Sequence, residues 1–357
     1  MPLKKLSIYN ARNIRELTLK FNPTFNLIHG PNGVGKTTIL ESIYLLLRAK
    51  TFRSNNYRNF ISFKADDCII YSEFITEDAT NDFSLAIKRN KTTAIPVVHL
   101  NKNKITTLST ISRLVVLGLI TPDSFNLLDS GPSIRRKYLD WGVFHVEQLF
   151  LTTWKDYKRV LNNRNMLLKK IKKNCLDKHQ TPTSLEKEIS IWDEQLKNLN
   201  TKIDNYRKEH IQRIKPVFYE ILHFFFGEMS KEIDLNYYQG WNKDITYEDM
   251  INKNRLEDIK SGFTNYGSHR SDIKITIQGK SAKEVLSRGQ KKLMVIAMIL
   301  AQFIYLKTKS DTDSGLLNQH FLLLLDDLDS ELDEKNLMRF INYLEQYNGI
   351  QYFLSLI

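Results

Sequence analysis

The segment Gly30-Pro31-Asn32-Gly33-Val34-Gly35-Lys36-Thr37-Thr38 constrains this chain more than any other. It follows the apolar run Phe25-Asn26-Leu27-Ile28 and precedes Ile39, Leu40, Ile43, Tyr44 and Leu47 at helical spacing, so it reads as strand, tight loop, helix. Gly30-x-x-x-x-Gly35-Lys36-Thr37 is the complete phosphate-binding loop pattern. Its glycines reach positive φ and let main-chain N–H groups approach phosphate oxygens, while the helix behind presents its positive end to the same anion. Lys36 is expected to bridge the β- and γ-phosphates of a nucleotide, and the Thr37 hydroxyl to ligate Mg²⁺.

Two distant segments suit the same chemistry. Leu322-Leu323-Leu324-Leu325-Asp326-Asp327 is a buried strand that ends in carboxylates. Asp326 is expected to join Thr37 on Mg²⁺, and Asp327 to orient or deprotonate the attacking water. An extended chain would send the two carboxylates to opposite sides. The third segment, Leu286-Ser287-Arg288-Gly289-Gln290, opens a long apolar helix. Ser287, with the free N–H groups of a helix start, offers a second phosphate contact, which suggests a composite site in which one protomer caps the nucleotide of another. Ser287 as an ordinary N-cap is the alternative.

Between these motifs the pattern changes character. Residues 1–28 alternate as short strands, and residues 67–115 return to period two as an antiparallel layer. From 123 to 264 the chain turns charged and helix-forming. Leu185, Ile189, Trp192, Leu196, Leu199, Ile203 and Tyr206 sustain a heptad seam, and Phe150, Trp154, Tyr157, Leu161, Leu168 and Ile171 a second one broken at Arg164 and Asn165. With polar Lys172 to Thr183 and Pro182 between them, the two seams read as an antiparallel hairpin with arms of roughly 22 to 28 residues, ~33 to 42 Å long. An arm for partners and an ordinary helical domain both fit. Strand and helix patterns resume after 270, so the nucleotide-binding domain is split into 1–122 and 265–357, with 123–264 inserted.

Charge and cysteines bound the surroundings. Lys and Arg number 52 against 40 Asp and Glu, a formal charge of +12, which favours a polyanionic partner such as nucleic acid or an anionic membrane surface. The Lys, Asn and Ile bias of an A+T-rich genome is another source of the same excess. Cys68 and Cys175 have no metal-site spacing and read as free thiols of a reducing compartment. The apolar run Leu293 to Leu306 is shorter than the roughly 20 residues of a membrane span, so a soluble, cytoplasmic protein without a membrane partner is expected.

GPNGVGKTT, LSRGQ and LLLLDDLDSELD, in that order around a helical insert, resemble ABC-type ATPases of the Rad50/SMC group. The short insert, LSIYNARN, TFRS, ITPDSFNLLDSGPSIRRKYLDWG and YGSHRSD resemble the RecF family of recombination mediators within it. The resemblance spans nearly the whole chain. It implies an α/β ABC-type P-loop ATPase head with an inserted helical, coiled-coil-like hairpin domain. It further implies an ATP-dependent homodimer on single- and double-stranded DNA, slow DNA-stimulated hydrolysis, and work with RecR and RecO to help RecA load at gaps. By the same resemblance Gly30, Pro31, Asn32, Gly33, Val34, Gly35, Lys36, Thr37 and Thr38 hold ATP, and Asp326 and Asp327 form the Walker B pair. Ser287, Arg288, Gly289 and Gln290 form the signature loop, with Arg288 where many ABC proteins have glycine. Ser330-Glu331-Leu332-Asp333 matches the D-loop, and Arg12 and Asn13 are expected to approach the nucleotide. Arg53, His269 and Arg270 match family motifs without an assigned role. ABC ATPases place a switch His or Thr just after the strand that follows Walker B; the sequence reaches Ile357 there, which sets an expectation of impaired turnover. A catalytically degenerate ATP-binding scaffold and a transporter-type nucleotide-binding subunit are the alternative functions.

Overall fold

The computed structural model describes residues 2–75, 82–178, 183–312 and 319–356, less the side chains of 175–178, 183, 184 and 186. The expected turn residue Pro182 and the Cys175 side chain lie outside the described residues. The chain forms two compact units, Met1–Asn126 with Arg288–Ile357, and Leu127–Ser287.

The first unit opens with β1 (Leu3–Ala11), β2 (Ile14–Lys20), β3 (Phe25–His29) and α1 (Lys36–Arg48). There follow β4 (Asp67–Phe74), β5 (Phe83–Asn90), β6 (Val97–Leu100), β7 (Asn103–Ile105), α2 (Ser109–Leu114) and β8 (Val115–Ile120). Strands β2-β1-β4-β5-β6-β7 make an antiparallel sheet, with Ile8 opposite Ile70 and Leu6 opposite Leu19. The period-two segments therefore pair as the sequence suggests, except at their end. Residues 109–114 turn a helix, and Val-Val-Leu-Gly-Leu-Ile of β8 joins a parallel sheet instead, because a continuous apolar run suits a strand covered on both faces.

In the second unit α3 (Asn126–Asp129), which starts one residue before the boundary, leads into α4 (Pro132–Val146), α5 (Phe150–Lys178) and α6 (Thr183–Phe226). Next come β9 (Ile233–Tyr238), α7 (Tyr247–Lys253), α8 (Arg255–Ser261), β10 (Asp272–Ile277), β11 (Lys280–Ser281) and α9 (Ala282–Val285). At 29 and 44 residues, α5 and α6 exceed the expected arms. Leu167, Leu168 and Ile171 of α5 pack with Leu185 and Ile189 of α6. Arg164, where the seam of α5 breaks, is completely buried: its guanidinium donates to Asp193 (2.6 Å) and to Asp258 (2.7 Å). Burial alone would lower its pKa, but the two carboxylates outweigh that and raise it.

The domain boundary at 265 is corrected by β10. Its alternating Ile273, Ile275 and Ile277 do form a strand, but that strand pairs antiparallel with β9 of the second unit, so 265–287 packs there. The sequence period reports a half-buried strand and not the sheet it joins.

The first unit is completed by α10 (Arg288–Thr312), β12 (His320–Leu325), α11 (Glu334–Leu344) and β13 (Ile350–Leu356). Strands β3-β13-β12-β8 form the parallel sheet. A core built from β1, α1, β4, β5, β8, β12 and β13 is continuous between the two sheets, with Leu40, Ile43 and Leu46 of α1 at its centre. Buried Gln351 of β13 clips the two sheets together: its amide donates to Leu3 O (2.9 Å) and accepts from Leu3 N (2.8 Å). By length and composition α10 is apolar enough to cross a membrane, longer than the apolar run read from sequence, yet most of its apolar window is buried. It lies close on β8, where a Cβ at Gly118 would meet Phe303 at 2.9 Å.

Candidate nucleotide-binding site

The parallel sheet sets the site. Strand β3 delivers the loop 30–35 to the start of α1, and β12 delivers Asp326 and Asp327 at its C-terminal edge, where ligands of open α/β sheets bind. Gly33 and Gly35 adopt φ of 85° and 117°, a region costly for side-chain-bearing residues. Lys36 is buried, and its ammonium folds back onto the carbonyls of Gly30 and Pro31. Asn13 braces the loop from below, donating to Gly33 O (3.1 Å) and Val34 O (3.2 Å). Thr38 Oγ1 reaches the other side of the same amide at 3.5 Å.

Thr37 Oγ1 donates to Asp326 Oδ1 at 3.1 Å, which joins residues 289 positions apart. Ser355, on β13, donates to the same oxygen at 2.8 Å and accepts from the backbone N–H of Asp327 at 3.0 Å. Burial raises the pKa of Asp326; the hydrogen bonds from Ser355 and Thr37 oppose that, and the adjacent Asp327 adds to it. The two carboxylates do separate, but not by strand alternation: Asp327 sits at φ 50°, in the left-handed region. Asp326 is thereby buried while Asp327 lines the cavity.

That cavity has a volume of about 590 Å³ and is lined by Arg12, Asn13, Asn32, Gly33, Gly35, Lys36, Thr37, Thr38, Arg53 and Asp327. Its size suits a nucleotide-scale ligand, and Arg12, Arg53 and Lys36 make its wall cationic. Arg12, at φ 47°, pairs with the fully buried Glu41, which also accepts from Arg53 N at 3.2 Å. Burial lowers the pKa of Arg12 and raises that of Glu41, and each partner opposes the other's shift. Glu41 and Ser355 carry no motif signal, since both lie inside apolar-patterned segments. Arg53 belongs to TFRS, and the fold places it on the cavity wall.

Arg288, Gly289 and Gln290 open α10 in the first unit, while Ser287 is the last residue of the second, so LSRGQ straddles the boundary. Ser287, Arg288 and Gly289 are exposed, and none of the four lines the cavity. Asp333 of the D-loop caps α11, accepting from Asn336 N at 2.9 Å. His269 and Arg270 lie in the second unit. The His269 ring donates from Nε2 to Thr264 O (3.0 Å) and accepts at Nδ1 from Tyr157 Oη (2.8 Å), the pattern of a neutral ring. Burial pushes its pKa down to about 4.

Residues 2–356 match the family described as RecF/RecN/SMC N terminal domain. A DNA replication and repair protein RecF from Vibrio parahaemolyticus is 35% identical over 99% of this chain and 92% of the relative. The protein of that name from Hahella chejuensis is 32% identical over 100% of this chain and 91% of the relative. The chain belongs to the RecF family. Among solved structures, the recombination mediator RecF with ATP, of the RecFOR pathway, superposes with a TM-score of 0.81 at 26% identity, covering 99% of this chain and 91% of that one. The head of an Smc protein bound to the C-winged helix domain of ScpA, at TM-score 0.57 and 16% identity over 100% of this chain and 90% of that one, shares the fold. The RecF family therefore brings the ABC-type ATPase head and the inserted helical hairpin together in one chain, and the transporter and degenerate-scaffold alternatives gain no support from these likenesses.

Proposed function

We propose that this RecF-type recombination mediator binds ATP with Mg²⁺ in the Gly30–Thr38 loop and closes as a homodimer. In that state it holds DNA and, with RecR and RecO, helps RecA load at single-strand gaps. The observation that carries the nucleotide reading is the 3.1 Å hydrogen bond between Thr37 and Asp326, which brings the two halves of a phosphate-and-metal site together across the sequence. Thr37 Oγ1 and Asp326 Oδ1 are hard oxygen donors, the set Mg²⁺ takes beside phosphate oxygens. When bound there, the ion neutralises charge on the β- and γ-phosphates.

The chain's own residues do the rest. Loop N–H groups and Lys36 hold the phosphates, and Asn13 keeps the loop shaped for them. Arg12, locked by Glu41, and Arg53 add fixed positive charge along the cavity wall, stabilising charge that moves during phosphoryl transfer. Asp327 faces the cavity and orients water. Ser355 positions both carboxylates, one through its hydroxyl and one through the backbone. The Ser287-Arg288-Gly289-Gln290 loop caps the γ-phosphate held by a second protomer, and DNA stimulates the slow hydrolysis.

Sedimentation of the purified chain with ATP, with ATP plus duplex DNA, and with neither tests this reading. A dimer that needs ATP and gains mass with DNA is expected, and Lys36→Ala should abolish both dimer and hydrolysis. A chain that stays monomeric with ATP and DNA, or a Lys36→Ala variant that turns over like wild type, would refute it.

A further inference from the structure

Helix α5 segregates its residues sharply. Tyr157, Val160, Arg164, Leu168 and Ile171 are buried, while Lys155, Lys158, Arg159, Lys169, Lys170 and Lys173 are exposed. At 3.6 residues per turn these six cations fall within about 60° of a single line along the helix. Asp156, half-exposed at the margin, pairs with Arg159 at 3.0 Å. Lys155, Lys169, Lys170 and Lys173 have no carboxylate within ion-pair distance among the described residues. The Lys158 ammonium lies 3.8 Å from the centre of the Trp154 ring, which orders it.

Composition alone does not produce this face. A lysine-rich genome would load both helices of the hairpin alike, yet α5 carries nine Lys and Arg against two Asp and Glu, and α6 carries seven of each. The exposed side of α6 mixes signs, with Glu188, Glu194 and Glu209 beside Lys187, Lys202 and Arg213. One helix of the pair is thus built to meet a polyanion.

We infer that the exposed face of α5 binds the phosphate backbone of duplex DNA, with its two cation clusters set on the two strands that flank a groove. The inference rests on the DNA-binding reading proposed above. Its geometry is specific. Arg159 and Lys169 are ten residues apart, ~15 Å along the axis, and uncharged Asn162 and exposed Met166 lie between them. That gap is close to the ~12 Å width of the major groove. Lys155, Lys158 and Arg159 meet one strand, and Lys169, Lys170 and Lys173 meet the other.

Salt dependence tests it, because each neutralised phosphate contributes ~0.9 to the slope of log K against log salt. The full chain with ATP and Mg²⁺ is titrated with a short duplex, with a single strand of equal length and with vesicles of anionic lipid. Three triple variants are compared: Lys155→Gln/Lys158→Gln/Arg159→Gln, Lys169→Gln/Lys170→Gln/Lys173→Gln, and a control, Lys187→Gln/Lys202→Gln/Lys231→Gln, whose lysines are exposed on α6 and just beyond its end. Each α5 triple should lower the duplex slope by ~2 to 3 and weaken binding at least ~10-fold at physiological salt, while the control matches wild type. On the single strand, which has only one line of phosphates, no more than half that loss is expected. If wild type binds duplex and the α5 triples retain its slope, this surface is wrong while the DNA-binding reading stands. A wild-type chain that binds no DNA overturns both. Equal loss on the single strand overturns the two-strand arrangement. If the α5 triples lose binding only to vesicles of anionic lipid, a membrane surface is the occupant and the inference fails.

Discussion

Ser355 shows how a single hydroxyl completes a site that two motifs only begin. The P-loop and the Asp326-Asp327 pair are legible because their residues are contiguous and their spacing is fixed by chemistry. Ser355 and Glu41 are not, because each acts through a partner that the fold brings from elsewhere: Asp326 and Arg12. The same holds for His269, a motif residue whose place is a polar cluster in the second unit. Its neutral ring, held by Tyr157 and Thr264, titrates near 4, whereas an unfolded chain takes up the proton near 6.5. Between those values the unfolded state binds more protons, so stability is complete above about pH 7 and falls as pH drops from 6.5 toward 4. From pH 7 to 5 the loss should be ~2 kcal/mol in wild type, at 1.36 kcal/mol per unit. His269→Gln removes that component, so urea midpoints at the two pH values should lie closer together in the variant. Parallel pH profiles for the two proteins would show that the ring is not held neutral.

Elements were easier to read than their pairings. The heptad seams identify α5 and α6, and the alternation of Ile273, Ile275 and Ile277 identifies β10. Period says which face is buried and nothing about the neighbour, so β10 joined β9 and moved the domain boundary. The break at Arg164 has an equally local cause. A charged residue interrupts an apolar seam only where carboxylates meet it, and Asp193 and Asp258 come from helices that sequence separates by dozens of residues. Removing the guanidinium leaves buried Asp258 without its cation and Asp193 with Arg255 alone, a loss of ~3 kcal/mol. Arg164→Leu should therefore destabilise the α5–α6 hairpin by that order in urea titrations. Adding Asp258→Asn, which removes the orphaned carboxylate, should recover part of it. If Arg164→Leu alone unfolds at the wild-type urea concentration, the guanidinium is not what secures this seam.

At the scale of the whole molecule, the composite site makes opposite predictions for two residues. If Ser287 meets the γ-phosphate held by Lys36 of a second protomer, Ser287→Arg crowds that pocket and blocks ATP-induced dimerisation, while nucleotide binding to the monomer survives. Asp327→Asn keeps Lys36, Thr37 and Asp326 for ATP and Mg²⁺ but loses the cavity-facing carboxylate, so hydrolysis slows and the dimer persists longer. An ordinary N-cap at Ser287 would instead cost ~1 kcal/mol of stability and leave dimerisation normal. Mixing Ser287→Arg with Lys36→Ala protomers separates these cases. In a mixed dimer one site combines the intact Lys36 of the first with the intact Ser287 of the second, and the other site has neither. Sedimentation with ATP should then show dimers in the mixture that are missing from either variant alone. A Ser287→Arg variant that dimerises like wild type would mean that the LSRGQ loop does not cap a partner's nucleotide, and that each P-loop works without a second protomer.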